Sequence, residues 1–214
     1  MLGRKARLVA REAHRKRGRL LDIGTGTGYF ADTMARRGWK VEAVEKSPQA
    51  RAFAKEHFDL DVKPESALQE FAPGSFDVIT LWHVMEHLEH LNETWEMLRE
   101  LLTEKGMLIV AVPNCSSYDA GRYGEYWAAY DVPRHLWHFT PVTIQQLASR
   151  HGFIMAARHP MPFDAFYVSM LSEKHRGSSC SFLKGMYAGT LAWFSTLGRK
   201  ERSSSMIYVF RKKR

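Results

Sequence analysis

The chain has 214 residues, of which 45% are hydrophobic, so it can bury one substantial core and is predicted to form a single domain over residues 1–214. We find no apolar run of about 18 residues and no apolar segment behind the N-terminal charges, so we expect neither a spanning helix nor a secretory signal. The two cysteines, Cys115 and Cys180, have no metal-ligand spacing and predict no disulfide framework, which favours a cytoplasmic protein.

The net charge of +8 is concentrated at the two ends of the chain. Residues 1–19 carry eight Lys or Arg against Glu12 alone, and residues 211–214 are all basic. We predict a basic N-terminal helix within residues 1–18, with Leu8 and Val9 as its only sizeable apolar side chains. The positive charge of this helix could bind RNA phosphates, anionic lipid head groups or an acidic substrate. Because no aromatic residues are interleaved with the charges, a solvated helix and no nucleic-acid partner are favoured.

The most informative stretch is residues 20–30, where an apolar run ends at Asp22 and glycines follow at 24, 26 and 28. This order predicts a strand, a tight turn and a helix, with a turn that lets a nucleotide-like ligand approach the backbone. A dinucleotide fingerprint does not fit, because Tyr29 occupies the position of its third glycine, and no Gly-Lys-Ser/Thr follows as in a phosphate-binding loop. The stretch resembles the D-x-G-x-G-x-G motif of class I S-adenosylmethionine (SAM) dependent methyltransferases.

This resemblance implies that SAM is held by the turn, through Asp22, Gly24, Thr25, Gly26 and Gly28. A strand is predicted over residues 40–44, and the residue that ends it, Glu45, can accept both ribose hydroxyls of an adenosine. Further cofactor contacts are expected from Lys46, which follows it, and from the segment that would face the adenine ring, Glu65 and Ser66. Between Lys46 and Glu65 we predict a helix from Ser47-Pro48 to about residue 57 and a short strand at 60–62.

Residues 76–82 form a strongly apolar predicted strand that leads into an E-H-L sequence ending at Leu88. The stretch resembles the fourth motif of the same family, which implies cofactor contacts from Leu81, Trp82 and His83. If residues 83–87 are helical, His83, Glu86 and His87 share a face. Some quinone O-methyltransferases bind a divalent cation through Glu-x-x-Glu-His, but histidine replaces the first glutamate here. We therefore predict no metal site, and expect these side chains to line or support the pocket mouth.

After a helix capped by Asn92 and a strand to residue 113, residues 114–132 are predicted to be irregular and rich in aromatics. The P-R-H-x-x-H-F sequence that follows resembles a segment of the branch related to quinone-biosynthesis O-methyltransferases, which implies that it covers the methyl-donating end of SAM. His135 is our first choice for the catalytic base and His138 the second. Alternatively, His135 and Arg134 fix the loop or contact the carboxyl end of SAM. The residues expected to contact the acceptor are Tyr126, Trp127, Tyr130 and Arg134.

The remaining chain predicts a helix from Thr140-Pro141 to Gly152, a strand at 153–158 and a closing strand at 205–211. Two apolar stripes within residues 163–199 predict a helical hairpin between these strands. It could be a lid over an apolar substrate, a membrane patch or a dimer interface, and a lid is the most economical.

The resemblance implies an α/β, Rossmann-like class I methyltransferase sheet of seven strands with the last antiparallel, helices on both faces and the hairpin inserted. It also implies methyl transfer from SAM, with S-adenosylhomocysteine as product, to a small-molecule acceptor. We expect O-methylation of an aromatic, quinone-like or lipid-like acceptor by a monomer or homodimer. An RNA or protein methyltransferase that uses the basic helix, and a non-catalytic SAM-binding module, are the alternatives.

Overall fold

A computed structural model of the chain describes residues 2–213, and its centre is one mixed β-sheet. The strands are β1 (Arg19–Ile23), β2 (Lys40–Val44), β3 (Phe76–Trp82), β4 (Leu102–Pro113), β5 (Phe153–Met161) and β6 (Ser205–Lys212). Their order is β2-β1-β3-β4-β6-β5, and β6 is antiparallel to both neighbours while β1 to β4 are parallel. The expected antiparallel closing strand is therefore confirmed, and it lies between β4 and β5.

Helices cover both faces of the sheet. They are α1 (Leu2–Glu12), α2 (Tyr29–Ala35), α3 (Pro48–Phe58), α4 (Leu91–Leu101), α5 (Tyr118–Tyr123), α6 (Pro141–Arg150), α7 (Asp164–His175) and α8 (Ser181–Gly198). One face of the sheet packs against α4 and α6, where Trp95 and Ile144 are fully buried. The other packs against α1 and α2. Successive residues of β1, Leu20 and Leu21, go to opposite faces, as the two-residue period of a strand requires.

Three predicted elements differ from the structure. Residues 60–62 form no strand: this segment meets the sheet only through a single bridge between Val44 and Lys63, so the sheet over residues 2–213 has six strands instead of seven. The basic helix α1 ends at Glu12. Asn92 does not cap α4, because α4 begins at Leu91. The side-chain oxygen of Asn92 instead lies 3.0 Å from His151 Nε2.

The helices α7 and α8 form a closely packed antiparallel pair between β5 and β6, here called the α7–α8 pair. Two glycines of α8 make the close approach feasible, because a Cβ on Gly185 would lie 2.5 Å from the Met170 Cα and one on Gly189 would lie 2.8 Å from the Phe166 Cα. Within residues 2–213 no helix has both the length and the apolar character needed to cross a membrane.

Candidate active site

The glycine turn connects β1 to α2 at the carboxyl edge of the parallel strands. Gly24, Gly26 and Gly28 have φ angles of 66°, 58° and 84°, a region that side chains with a Cβ rarely occupy. Gly24 is also crowded, since a Cβ there would lie 2.5 Å from a methyl carbon of Val84. Its amide and that of Thr25 both donate to the Val44 carbonyl oxygen, at 2.9 and 3.1 Å. The turn is therefore tied to the end of β2.

Glu45 joins the glycine turn to the start of α3. Its Oε2 accepts a hydrogen bond from the Gly26 amide and its Oε1 accepts one from the Ser47 amide, both at 2.9 Å. The Glu45 carboxylate thus lies beside the turn, as predicted. A carboxylate offers about four acceptor sites, so two hydroxyl donors of a ligand could bind at the same time.

Asp22, in contrast, lies beneath the turn and has almost no exposed surface (1%). The Thr80 hydroxyl donates to its Oδ1 at 2.6 Å, and its Oδ2 has no hydrogen bond within the described chain. Burial raises the pKa of Asp22 to about 6, although the Thr80 hydrogen bond acts in the opposite direction. In this structure Asp22 supports the turn from below.

A cavity of about 510 Å³ opens at this edge of the sheet. The predicted cofactor residues that line it are Gly24, Glu45, Lys46, Glu65 and His83. The lining does not include six other predicted cofactor residues, of which Leu81 is fully buried: Thr25, Gly26, Gly28, Ser66, Leu81 and Trp82. The lining also includes His87, which we expected to line or support the pocket mouth, and it includes Val84, His90 and Thr94, which we did not single out in the sequence.

Residues 83–87 are not an α-helix. His83 has a φ of 58°, and a short 3₁₀ turn follows over Met85–His87. The His83 ring consequently lies between two carboxylates, with Nδ1 3.4 Å from Glu86 Oε1 and Nε2 3.5 Å from Asp164 Oδ2 at the start of α7. Burial opposes a charge here, but Asp164 and Glu86 outweigh it and raise the pKa of His83 to about 9. His83 is therefore a cation near neutral pH.

Two further histidines are fixed by backbone carbonyls. His87 Nδ1 lies 3.0 Å from the Arg134 oxygen and His135 Nδ1 lies 2.8 Å from the Ala129 oxygen. A carbonyl oxygen only accepts, so each Nδ1 carries a proton and each Nε2 of the neutral ring is an acceptor. Burial lowers the pKa of His135, which favours that neutral ring. Together with a Glu86 oxygen, each ring offers one ligand atom, and these atoms lie within 4.8 Å of one another.

The aromatic segment is more ordered than we predicted, because α5 and two 3₁₀ turns run through residues 118–130. Trp127 is buried (1% exposed) and donates from Nε1 to the Asp119 carboxylate at 2.8 Å, so it belongs to the core here and offers no surface to an acceptor. Tyr130 is half-buried against Trp127, while Tyr126 is exposed.

The basic residues that follow the aromatic segment lie outside the cavity lining. Arg134 is exposed and pairs with Asp131. His138 Nε2 lies 3.0 Å from the Tyr130 carbonyl oxygen, and neither His135 nor His138 lines the cavity.

One residue near the site was missed by sequence reasoning. The Lys5 ammonium of α1 lies 4.3 Å from the centre of the Trp82 ring. Burial lowers the pKa of Lys5, and the charges of Asp22 and Asp164 partly offset this effect. The basic helix therefore delivers a cation to the interior beside β3. The sequence signal was the charge of α1, which we interpreted as solvated.

Comparison with known proteins agrees with this geometry. The family model described as "Methyltransferase domain" matches residues 1–157. The mitochondrial ubiquinone biosynthesis O-methyltransferase of Schizosaccharomyces pombe is 35% identical over 101 residues, which cover 44% of this chain and 37% of the relative. The ubiquinone biosynthesis O-methyltransferase of Cereibacter sphaeroides (strain KD131) is 30% identical over 158 residues, covering 68% of this chain and 64% of the relative. The matched part is thus less than two thirds of either relative's length.

Solved structures resemble the whole fold. Phosphoethanolamine N-methyltransferase 2 of Haemonchus contortus, solved in complex with SAM, has a TM-score of 0.68 at 21% identity and covers 99% of this chain and 53% of that one. A SAM-dependent methyltransferase of Archaeoglobus fulgidus has a TM-score of 0.64 at 18% identity, and the match covers 99% of this chain and 95% of that one. At these identities the likeness establishes the α/β, Rossmann-like fold.

Proposed function

The chain belongs to the methyltransferase domain family, and on that premise we propose that it transfers a methyl group from SAM to a hydroxyl of a small, aromatic or quinone-like acceptor. The observation that carries the proposal is the cavity at the carboxyl edge of β1, β2 and β3, with Gly24 and Glu45 on one side and His83 and His87 on the other. The names of the ubiquinone-biosynthesis relatives support the acceptor class.

The cofactor would lie along the glycine turn. The Glu45 carboxylate, held by two backbone amides, would accept the ribose hydroxyls, and Lys46 and Glu65 would border the adenine end. Protonated His83 also lines the cavity and is suited to the carboxylate of the methionine part of SAM. SAM supplies an electrophilic methyl group when bound, and the protein's main task is to align the acceptor with it.

We assign the proton acceptor to His87. Its Nε2 is unprotonated in the tautomer that the Arg134 carbonyl selects, and its side chain lines the cavity. A hydroxyl becomes a better nucleophile as its proton is transferred to such a base. His135 and His138, our first and second choices from the sequence, lie outside the cavity lining and would orient the segment around His87.

A divalent cation is the second candidate for the same groups. Both oxygens of the buried Glu86 carboxylate lack a hydrogen bond within residues 2–213, and a Glu-His-His set suits a cation of the zinc or manganese kind. Glu86, His87 and His135 would hold it. A cation bound there would supply positive charge that lowers the pKa of an acceptor hydroxyl.

Calorimetry with SAM and with S-adenosylhomocysteine tests the cofactor assignment, and mass spectrometry of the purified protein would detect either compound carried through purification. Absence of binding at millimolar SAM would refute the proposal. Methyl transfer to a panel of catechols and hydroquinones then tests the acceptor class. His87→Gln should reduce kcat on the order of a hundredfold while SAM affinity stays unchanged. Activity that falls after chelation and returns with a divalent cation would favour the second candidate.

A further inference from the structure

The helix α8 has two different faces. The residues turned towards α7 are small and buried: Gly185, Ala188, Gly189, Ala192 and Thr196. The residues on the opposite side are large and exposed by 37 to 68%: Phe182, Leu183, Met186, Tyr187, Phe194 and Leu197. At 100° per residue these six side chains fall within one stripe. The stripe is here called the outer face of α8.

This outer face lacks a partner within the described chain. Two more exposed aromatic residues, Phe163 and Tyr167, lie at the start of α7. Monomeric proteins rarely expose contiguous apolar patches beyond a few hundred Å², and larger ones mark protein or membrane contacts. The α7–α8 pair therefore presents a surface that needs a partner of apolar character.

The charges around the outer face select that partner. Residues 181–198 contain no Asp or Glu. Exposed cations lie at both ends of α8 and beside it: Lys174, Arg176, Lys184, Arg199, Lys200 and Arg202. The exposed acid near these ends, Glu201, is already paired with Arg158. The guanidinium of Arg4, in the basic helix α1, lies 5.6 Å from the centre of the Phe163 ring, so the basic surface continues past α7.

We propose that the outer face of α8 docks on an anionic lipid bilayer, with the helix lying in the plane of the interface. An apolar stripe with aromatic residues and flanking Lys and Arg is the pattern of an interfacial helix. A second copy of the same face would bring like charges together, because the same cations would approach one another across a two-fold axis. A bilayer with anionic head groups instead neutralises them. The proposal does not depend on the identity of the acceptor.

Flotation of the full-length protein with vesicles tests the proposal. We expect binding to phosphatidylcholine vesicles that contain phosphatidylglycerol, and at least roughly tenfold weaker binding to pure phosphatidylcholine or at high salt. Leu183→Glu with Leu197→Glu should weaken binding to the anionic vesicles by at least about tenfold. The matched control is Val142→Glu, an equally exposed apolar position (63%) on α6, which should leave binding unchanged.

A second variant keeps every apolar contact. Arg199→Gln with Lys200→Gln should weaken binding roughly fivefold for each charge removed. Circular dichroism checks that each variant is folded. Equal binding to neutral and anionic vesicles, or full binding by both variants, would overturn the proposal. It would also be overturned if the protein ignores vesicles but sediments as a dimer that Leu183→Glu dissociates, because the outer face would then be a self-association surface.

Discussion

The carboxylate of Glu45 has one structural contact and one proposed ligand contact, and substitution of Glu45 tests the ligand contact. It holds the glycine turn through the Gly26 amide, and we propose that it also binds the ribose of SAM. Glu45→Gln keeps one acceptor oxygen and removes the charge, so it should weaken SAM affinity on the order of tenfold, and Glu45→Ala should weaken it further. Isothermal titration with SAM measures both.

The matched control for Glu45 is Glu42, which lies three residues earlier, within β2. Its side chain is partly exposed and pairs with Lys63 at 2.9 Å. Glu42→Gln should leave SAM affinity within about twofold, because surface ion pairs contribute little. If Glu45→Gln binds SAM as tightly as Glu42→Gln does, the ribose assignment is wrong.

Asp22 should make stability depend on pH. Its folded-state pKa of about 6 lies above the ordinary value of 3.8, so folding favours the neutral carboxyl. That stabilisation is complete below the unfolded pKa and is lost as pH rises through about 6, a change of about 3 kcal/mol in the free energy of unfolding. Urea unfolding between about pH 4 and 7 measures it. Asp22→Asn should remove this component, and an unchanged pH slope in Asp22→Asn would contradict the assignment.

The aromatic segment shows that a sequence pattern does not determine which individual side chains face the cavity and which are buried in the core. The proximity of Tyr126, Trp127 and Tyr130 to the P-R-H-x-x-H-F sequence predicted acceptor contacts for all of them. The structure buries Trp127 because Asp119, on α5, provides an acceptor for its indole N–H inside the core. Likewise, His87 reaches the cavity through a 3₁₀ turn that begins after the left-handed backbone of His83, which hydrophobic periodicity does not encode.

At the scale of elements, the packing of α7 on α8 depends on two glycines. Gly189→Ala would place a methyl group 2.8 Å from the Phe166 Cα, so the helices must separate and the protein should lose on the order of 1 to 3 kcal/mol of stability. Gly198, in the same helix, has open space where a Cβ would lie, with no atom within 4 Å, so Gly198→Ala should be neutral or slightly stabilising. Thermal unfolding compares the two, and equal melting temperatures would contradict close packing at Gly189.

Most elements were predictable because their signals are local. The apolar runs of β1 and β3, the alternation in β2 and the Ser47-Pro48 start of α3 all have the expected structure. The strand expected at residues 60–62 fails because strand pairing is a property of two segments. Beyond the edge strand β2 this segment makes one bridge, through Lys63, and then turns away at Pro64. Apolar content alone does not distinguish a segment that pairs along its length with the sheet from one that touches it at a single bridge.

At the scale of the whole molecule, α1 covers part of one face of the sheet. Ala6 and Val9 are fully buried in the cluster that contains Phe30, Met34 and Ile109. Sequence reasoning favoured a solvated helix, with Leu8 and Val9 as its only sizeable apolar side chains. The structure corrects that view: small side chains let α1 lie close to α2, and Lys5 reaches inward, while Arg4, Arg7 and Arg11 remain exposed on the outer side.

The two roles of α1, structural cover and basic surface, can therefore be separated. Deletion of residues 2–12 should cost about 3 kcal/mol or more of stability, since it uncovers apolar surface of α2 and the sheet. Arg7→Gln with Arg11→Gln changes only exposed charges and should alter stability by less than about 0.5 kcal/mol. Urea unfolding measures both. The same charge variant tests the nucleic-acid alternative. That alternative would be supported if the intact protein binds RNA at low salt and the variant does not, because phosphate contacts depend on charge and not on the buried side of α1.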